Sequence, residues 1–322
     1  MNWLRNLAGT ALDSTETAVI LIARMAPDDF IALPLKLNSR NRSASSLSTF
    51  YSSNYSPVVH TPRPAILLHA LFQHLARREK MATITISPMD SASPIFAQLK
   101  DALNRSDWNG VHSFFCFGNW IHDLGGDSYQ NYLAARSSRL RNTVARRTRK
   151  FVGSEHGKLA LITGGNNLEQ AIEQFISIYN QSWKRQEPFP EFIPQLLRLA
   201  ATHGWLRLGI ASHEGKPIAG QIWFVWQGTA YIFKLAYHEE YKHLSPGTVL
   251  TAFMMEHVID RDGVSRIDYL SGDDAYKKDW MSSRGEKHGL AAYNIRSLRG
   301  SAMFLARAAN TFVKKVAGKK PA

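Results

Sequence analysis

Three short β-rich runs at 206–212, 217–225 and 229–237 lead through a Ser-Pro-Gly-Thr turn at 245–248 into a helix ending near 262 and a further strand at 265–270. Few folds accept that order. The turns His213-Glu214-Gly215-Lys216 and Gln227-Gly228 are short enough to make the three runs antiparallel neighbours. Ser245 is a good N-cap, Pro246 suits the first helical position, and Gly247 lets the backbone come close to a ligand. Free N–H groups at that helix start can hold an anion, and a phosphorylated cofactor is the natural candidate. An ordinary Ser-Pro helix start has the same local sequence, so position after a strong β run carries the reading.

Beyond the last strand lies the cluster Asp273-Asp274-Ala275-Tyr276-Lys277-Lys278-Asp279-Trp280. A carboxylate in a partly apolar cleft can be raised toward neutrality and act as a base, while a phenol can return a proton to a leaving thiolate. The alternative is structural: an aspartate caps a short helix and the lysines are solvated. Lys234, in the middle of an apolar strand, points either to solvent or into a cleft.

The strand–turn–helix arrangement resembles the CoA-binding core of the GNAT acyltransferase superfamily. More closely, residues 244–280 resemble the acetyltransferase family associated with cellulose and exopolysaccharide biosynthesis, itself related to the Fem-type peptidoglycan ligases. The resemblance rests on S-P-G-T, Asp268 on the following strand and the closing A-Y-K-K-x-W. It implies an α/β (α+β) fold of tandem GNAT-like (acyl-CoA N-acyltransferase) domains, each a mixed, mostly antiparallel sheet flanked by helices. It also implies an acyl-CoA donor, acetyl-CoA or longer, with no metal, and an amine or hydroxyl on a small-molecule or saccharide acceptor. Tyr276 and Lys277 would then sit at the active cleft with Asp273. Leu235 and Tyr237 on the strand, with Lys242, His243, Ser245, Gly247 and Thr248 in the turn, would hold the cofactor. The GNAT turn usually has more glycine; here Gly247 stands alone.

The first half reads as α/β. Runs at 18–24 and 30–37 form a hairpin, 38–46 is a polar loop, and 47–59 is an aromatic, Ser-rich strand. Pro64 opens a helix whose buried stripe is Ile66, Leu67, His69, Ala70, Phe72 and Leu75. A strand at 82–87, a helix at 93–103 and a strand at 111–117 follow. Residues 129–150 then collect seven basic side chains, Arg139 and Arg146 among them, with no acidic residue between Asp127 and Glu155. Leu133, Leu140 and Val144 recur at helical spacing, so one amphipathic helix is expected, either a solvated linker or a phosphate-binding face. A strand at 158–163 and helices at 167–183 and 192–202 lead to the three runs. The expected organisation is a first domain at 1–126, a basic linker helix at 127–152, a second domain at 153–297 carrying the cofactor signature, and a helix and basic tail at 298–322 ending in Lys319-Lys320.

With 322 residues, 44% of them hydrophobic, the chain can bury two cores. Its single cysteine, Cys116, excludes an internal disulfide and a cysteine-rich metal site. The most apolar early run, 18–26, contains Arg24 and is too short to cross a bilayer, so a cytoplasmic protein without an integral membrane segment is expected. A net charge of +13 favours polyanionic partners without choosing among them. The sequence lacks G-x-S-x-G, H-E-x-x-H and a P-loop, which removes serine hydrolase, zinc protease and nucleotide hydrolase readings. An acyl carrier protein could replace CoA as donor. The Fem kinship makes aminoacyl-tRNA another donor, held by the basic helix. A non-catalytic assembly factor in a polysaccharide-synthesis complex is the reading from a different class.

Overall fold

The computed structural model describes residues 2–316, with side chains through residue 309. The chain divides into two compact units, one built from residues 3–117 and from 286 onward, the other from 118–285. The first unit opens with α1 (Asn2–Thr10) and a long hairpin, β1 (Glu16–Ala26) and β2 (Asp29–Asn38), paired from Glu16↔Asn38 to Ala26↔Asp29. β3 (Ser43–Ser46) and β4 (Val58–His60) both pair antiparallel with β2. The expected strand at 47–59 therefore survives only at its end, and the expected loop at 38–46 contains a strand. Polarity misled in both places: Ala44 and Ser46 of β3 are buried, and Ser46 and Ser48 donate to the Ser87 carbonyl at 2.6 and 2.7 Å.

α2 (Pro64–Arg77), β5 (Thr83–Asp90), α3 (Pro94–Asn104) and β6 (Asn109–Asp123) follow. Pro64 supplies a preset φ for the first turn of α2, as expected. The buried stripe is Leu67, Leu68, Leu71, Phe72 and Leu75 against Ile31, Leu33, Leu35, Ile84 and Ile86, whereas Ile66 is exposed. Residues 109–117 of β6 belong to the first unit and 118–123 to the second.

The second unit continues with α4 (Tyr129–Ala134) and α5 (Ser138–Val152). The one helix expected over 129–150 is thus two. Ser137 caps α5 by accepting from the Leu140 N–H, and Arg141 donates to the Ala134 and Arg136 carbonyls, closing the end of α4. Then come β7 (Gly157–Ile162), α6 (Leu168–Asn180), α7 (Phe192–Thr202), β8 (Leu206–His213), β9 (Lys216–Trp226), β10 (Thr229–Tyr237), a 3-10 turn (Glu239–Leu244), α8 (Pro246–Asp260), β11 (Arg266–Asp268) and the single turn α9 (Lys277–Trp280). β7, β8, β9 and β10 are antiparallel neighbours, β10 and β11 are parallel, and β11 is antiparallel to β6.

Two glycines let helices approach this mixed sheet closely. A Cβ on Gly209 would lie 2.6 Å from Met254 Sδ of α8, and one on Gly220 would lie 2.7 Å from the Phe175 ring of α6. The core gathers Val249, Leu250, Met254, Met255 and Val258 of α8 with Ile218, Trp223, Ile232 and Ile267 of the strands. Leu140, Val144 and Phe151 of α5 join the same core, so α5 packs within the second unit instead of standing as a linker.

β12 (Ser283–Tyr293) and α10 (Leu298–Val316) complete the chain, and from residue 286 they belong to the first unit. β12 pairs antiparallel with β5, and its Leu290 and Ala292 lie in the first unit's core. The expected boundaries at 126, 152 and 297 thus differ from the units, which change over within β6 and β12. Lys319-Lys320 lies outside the described residues. None of the described helices is long and apolar enough to cross a membrane.

Candidate active site

The parallel pair β10 and β11 holds for three residues, Thr229–Tyr231, while β10 stays paired with β9 through Tyr237. β10 also changes register between Ile232 and Lys234, a bulge at Phe233 that re-aims the strand. Beyond the bulge, Leu235, Ala236 and Tyr237 of β10 have no strand neighbour on their second edge among the described residues, so their backbone can meet a ligand there.

α8 begins beside that edge. Pro246 has no N–H, and Val249 already donates to the Ser245 carbonyl, so Gly247 and Thr248 carry the open donors of the first turn. Ser245 does not cap through its side chain, contrary to expectation: the preceding 3-10 turn leaves it in the left-handed region at φ 57. The helix start is held from below by buried Gln221, whose Nε2 donates to the Gly247 carbonyl at 3.0 Å and to Thr251 Oγ1 at 2.8 Å. Gln221 Oε1 accepts from Trp223 Nε1 at 2.9 Å. The sequence reading missed Gln221; its one signal is an amide inside an otherwise apolar strand.

A cavity of about 420 Å³ opens here, lined by Leu235 and Tyr237 of β10, Gly247, Thr248 and Thr251 of α8, Arg139, Leu140 and Thr143 of α5, and Trp183, Tyr276, Asp279 and Trp280. Four aromatic rings give it an apolar wall, with Trp183 and Tyr237 4.5 Å apart. Trp280 is placed by its carbonyl, which accepts from the Tyr132 hydroxyl at 2.6 Å and from Arg136 at 3.4 Å.

The loop after β11 presents Tyr276. Asp268 Oδ1 accepts from Asn119 Nδ2 at 2.6 Å and from the Leu270 N–H at 2.7 Å, holding Leu270 at φ 55. Lys277 turns inward, only 4% exposed, and donates to the Ser271 and Gly272 carbonyls at 2.6 and 3.3 Å. Burial pulls its ammonium below the usual lysine range. Tyr276 faces the cavity, and burial pushes its phenol above the usual range.

The expected residues thus separate. Leu235, Tyr237, Gly247, Thr248, Arg139 and Tyr276 come together around the cavity. Lys277 is a strut of the loop and does not line it. Asp273 is bound by Arg284 at 2.6 Å and by Trp120 Nε1 at 2.8 Å, and these hydrogen bonds, Arg284 first, hold its carboxyl below the usual range, opposite to what a base requires. Lys242 and His243 are exposed outside the cavity, and the His243 carbonyl accepts from Arg147 at 2.8 Å. Arg146 is exposed on α5 away from it. Lys234 points neither to open solvent nor into the cavity: it pairs with Glu187 at 2.6 Å and lies over the Tyr179 ring. Lys184, another residue the sequence reading missed, stacks over Tyr179 and Trp183, and burial first, then Lys234, pulls it down to about 8. No group of metal-ligating side chains occurs among the described residues.

No curated protein matches the chain. Among solved structures, FemX is similar at 11% identity and a TM-score of 0.58, covering 93% of this chain and 98% of that one. The C-terminal domain of a putative lysylphosphatidylglycerol synthetase from Agrobacterium fabrum is similar at 14% identity and a TM-score of 0.56, covering 96% and 90%. A tandem GNAT protein from the clavulanic acid biosynthesis pathway is similar at 15% identity and a TM-score of 0.54, covering 90% and 94%. These likenesses are of fold. Residues 138–278 match the family model of the acetyltransferase (GNAT) domain, and that stretch holds the β10, α5 and α8 residues that line the cavity.

Proposed function

We propose that the second unit transfers an acyl group from acyl-CoA to an amine or hydroxyl acceptor, in the synthesis of a polysaccharide or other cell-envelope component. The observation that carries this reading is the cavity at the free edge of β10, with the start of α8 at one side and aromatic walls at the other. The residues suit the donor. The Gly247 and Thr248 N–H groups and Arg139 match phosphate, the open edge of β10 matches the amides of a pantetheine arm, and Tyr237, Trp183, Tyr276 and Trp280 match its apolar parts.

Bound acyl-CoA supplies the thioester, and the chain supplies orientation and proton transfer. The Tyr276 phenol, raised by burial, stays protonated across the working range and serves as the acid for the departing thiolate. Lys184 does not itself line the cavity, but its ammonium lies over the ring of Trp183 in the cavity wall and is pulled down to about 8, so it can lose its proton near neutrality and is the base we propose, since Asp273 is bound by Arg284. Its charged neighbours are Lys234, Asp274, Lys277 and Glu187. In its neutral form the amine accepts the acceptor's proton, so the rate rises as pH passes about 8.

The aminoacyl-tRNA reading finds less support, because Arg136, Arg141 and Arg147 are engaged with backbone carbonyls of their own unit and leave fewer cations for RNA. Calorimetric titration with acetyl-CoA, longer acyl-CoAs and free CoA tests the proposal. Binding that weakens about tenfold in Arg139→Gln supports it. Absence of binding to every thioester refutes it.

A further inference from the structure

The first unit contains a second cavity, about 710 Å³, at the start of α10. Its lining is Arg42, Arg77, Lys80, Arg296 and Arg299, with Ala76, Asn294, Ser297 and Leu298. Five cationic side chains thus face one concavity. Asp107 is the carboxylate that meets them, bound by Arg77 and, at 3.0 Å, by Arg296. Among the described residues, no salt bridge takes up Arg42, Lys80 or Arg299; Arg299 donates to the Asn41 amide oxygen at 3.2 Å. Like charges gathered at this density repel one another unless an anion lies between them.

The frame beneath is rigid. Asn294 is buried, and its Nδ2 donates to the Ala76 and Met81 carbonyls, both at 2.9 Å, while its Oδ1 accepts from the Arg296 N–H. Arg42 and Lys80 both occupy the left-handed region, at φ 50 and φ 51, where glycine or asparagine is the low-strain choice. The backbone on either side is fixed: the Arg42 carbonyl accepts from the Ala82 N–H at 2.6 Å, and Met81 N–H donates to the Leu75 carbonyl. Two strained turns thus each hold a long cation at the same rim.

We propose that this cavity binds a phosphate-bearing ligand, as a site separate from the acyl-transfer cavity of the second unit. Guanidinium forks match phosphate oxygens two at a time, and a lysine adds a compact charge. The volume exceeds what one phosphate fills, so the ligand is an organic phosphate or a phospholipid headgroup. Leu298, 94% exposed at the mouth, suits the second of these, because an apolar side chain beside a basic cavity can enter the acyl boundary of a membrane.

The test uses the full chain at low salt with two probes: inorganic pyrophosphate by calorimetry, and sedimentation with phosphatidylglycerol or phosphatidylcholine vesicles. The pocket variant is Arg42→Glu/Lys80→Glu/Arg299→Glu. The charge-matched control is Lys150→Glu/Lys158→Glu/Lys216→Glu, all exposed in the second unit. The expected result is binding by the wild type and control and a loss of about tenfold or more in the pocket variant. Pyrophosphate binding identifies a soluble ligand; binding to phosphatidylglycerol vesicles alone identifies a lipid headgroup. If the pocket variant does not fold, Arg299→Glu alone is judged by the same comparison. Failure of the wild type to bind either probe overturns the proposal, as does equal weakening in control and pocket variants or unchanged binding in the pocket variant.

Discussion

Replacing Gln221 with methionine removes the amide that joins β9 to the start of α8 while keeping the side chain's length. Its two donated bonds end on acceptors that keep company without it, since the Gly247 carbonyl still accepts from Thr251 Oγ1 at 2.8 Å. The bond it accepts is different. Trp223 is fully buried, and without Oε1 its indole N–H has no partner. An orphaned buried donor costs roughly 1–3 kcal/mol, and losing the other two bonds adds about 1 kcal/mol, so Gln221→Met is expected to lower stability by about 2–4 kcal/mol. Urea denaturation monitored by tryptophan fluorescence measures this, and the second mutation Trp223→Phe checks its origin. Once the N–H is gone the orphan disappears, so the double variant should be more stable than the sum of the two losses by about 1–2 kcal/mol. A loss below about 0.5 kcal/mol in Gln221→Met, or strict additivity in the double variant, refutes the reasoning. Acetyl-CoA affinity, measured in parallel, should fall with the disturbed helix start.

Lys234→Met strands the Glu187 carboxylate, which is 9% exposed and also hydrogen-bonded by Tyr179, and should cost about 3 kcal/mol by thermal or urea unfolding; adding Glu187→Leu should recover most of it. Asp107 is held below the usual carboxyl range by its hydrogen bond from Arg77, so its contribution is present above the unfolded value and is lost as pH falls through the folded one. The stability difference between wild type and Asp107→Asn should therefore be constant near neutrality and shrink below about pH 3.8, and a difference independent of pH down to 2 would contradict this. Tyr276→Phe should lower kcat about a hundredfold with acetyl-CoA binding unchanged, and an unaltered kcat removes the phenol as the acid.

The stretch 229–270 was legible because its signals are local: hairpin turns, alternation, and a proline and glycine at a helix start. What lay hidden depended on partners far along the chain. Gln221 shows its purpose only when Gly247 and Trp223 are beside it. The sequence Tyr-Lys at 276–277 gives two neighbours equal standing, and the fold divides them, one to the cavity and one to the carbonyls of Ser271 and Gly272. Asp273 invited a raised carboxyl until Arg284 proved to be its neighbour. The break between α4 and α5 carries no proline or glycine, so periodicity ran through it. β12 begins in the polar Ser-Arg-Gly-Glu-Lys-His and lacks alternation there, which concealed the strand that completes the first unit's core.

The passage of the chain through β6 and β12 also sets an order of assembly. The second unit is built from residues 118–285, so it is complete as soon as its own segment leaves the ribosome. The first unit begins earlier and finishes later. Until Leu290 and Ala292 arrive, β5 has an unpaired edge and Ile84 and Ile86 lack part of their cover. Of the two units, the one whose segment comes first is the one that closes last, and during that interval its open edge is where aggregation or chaperone capture would act.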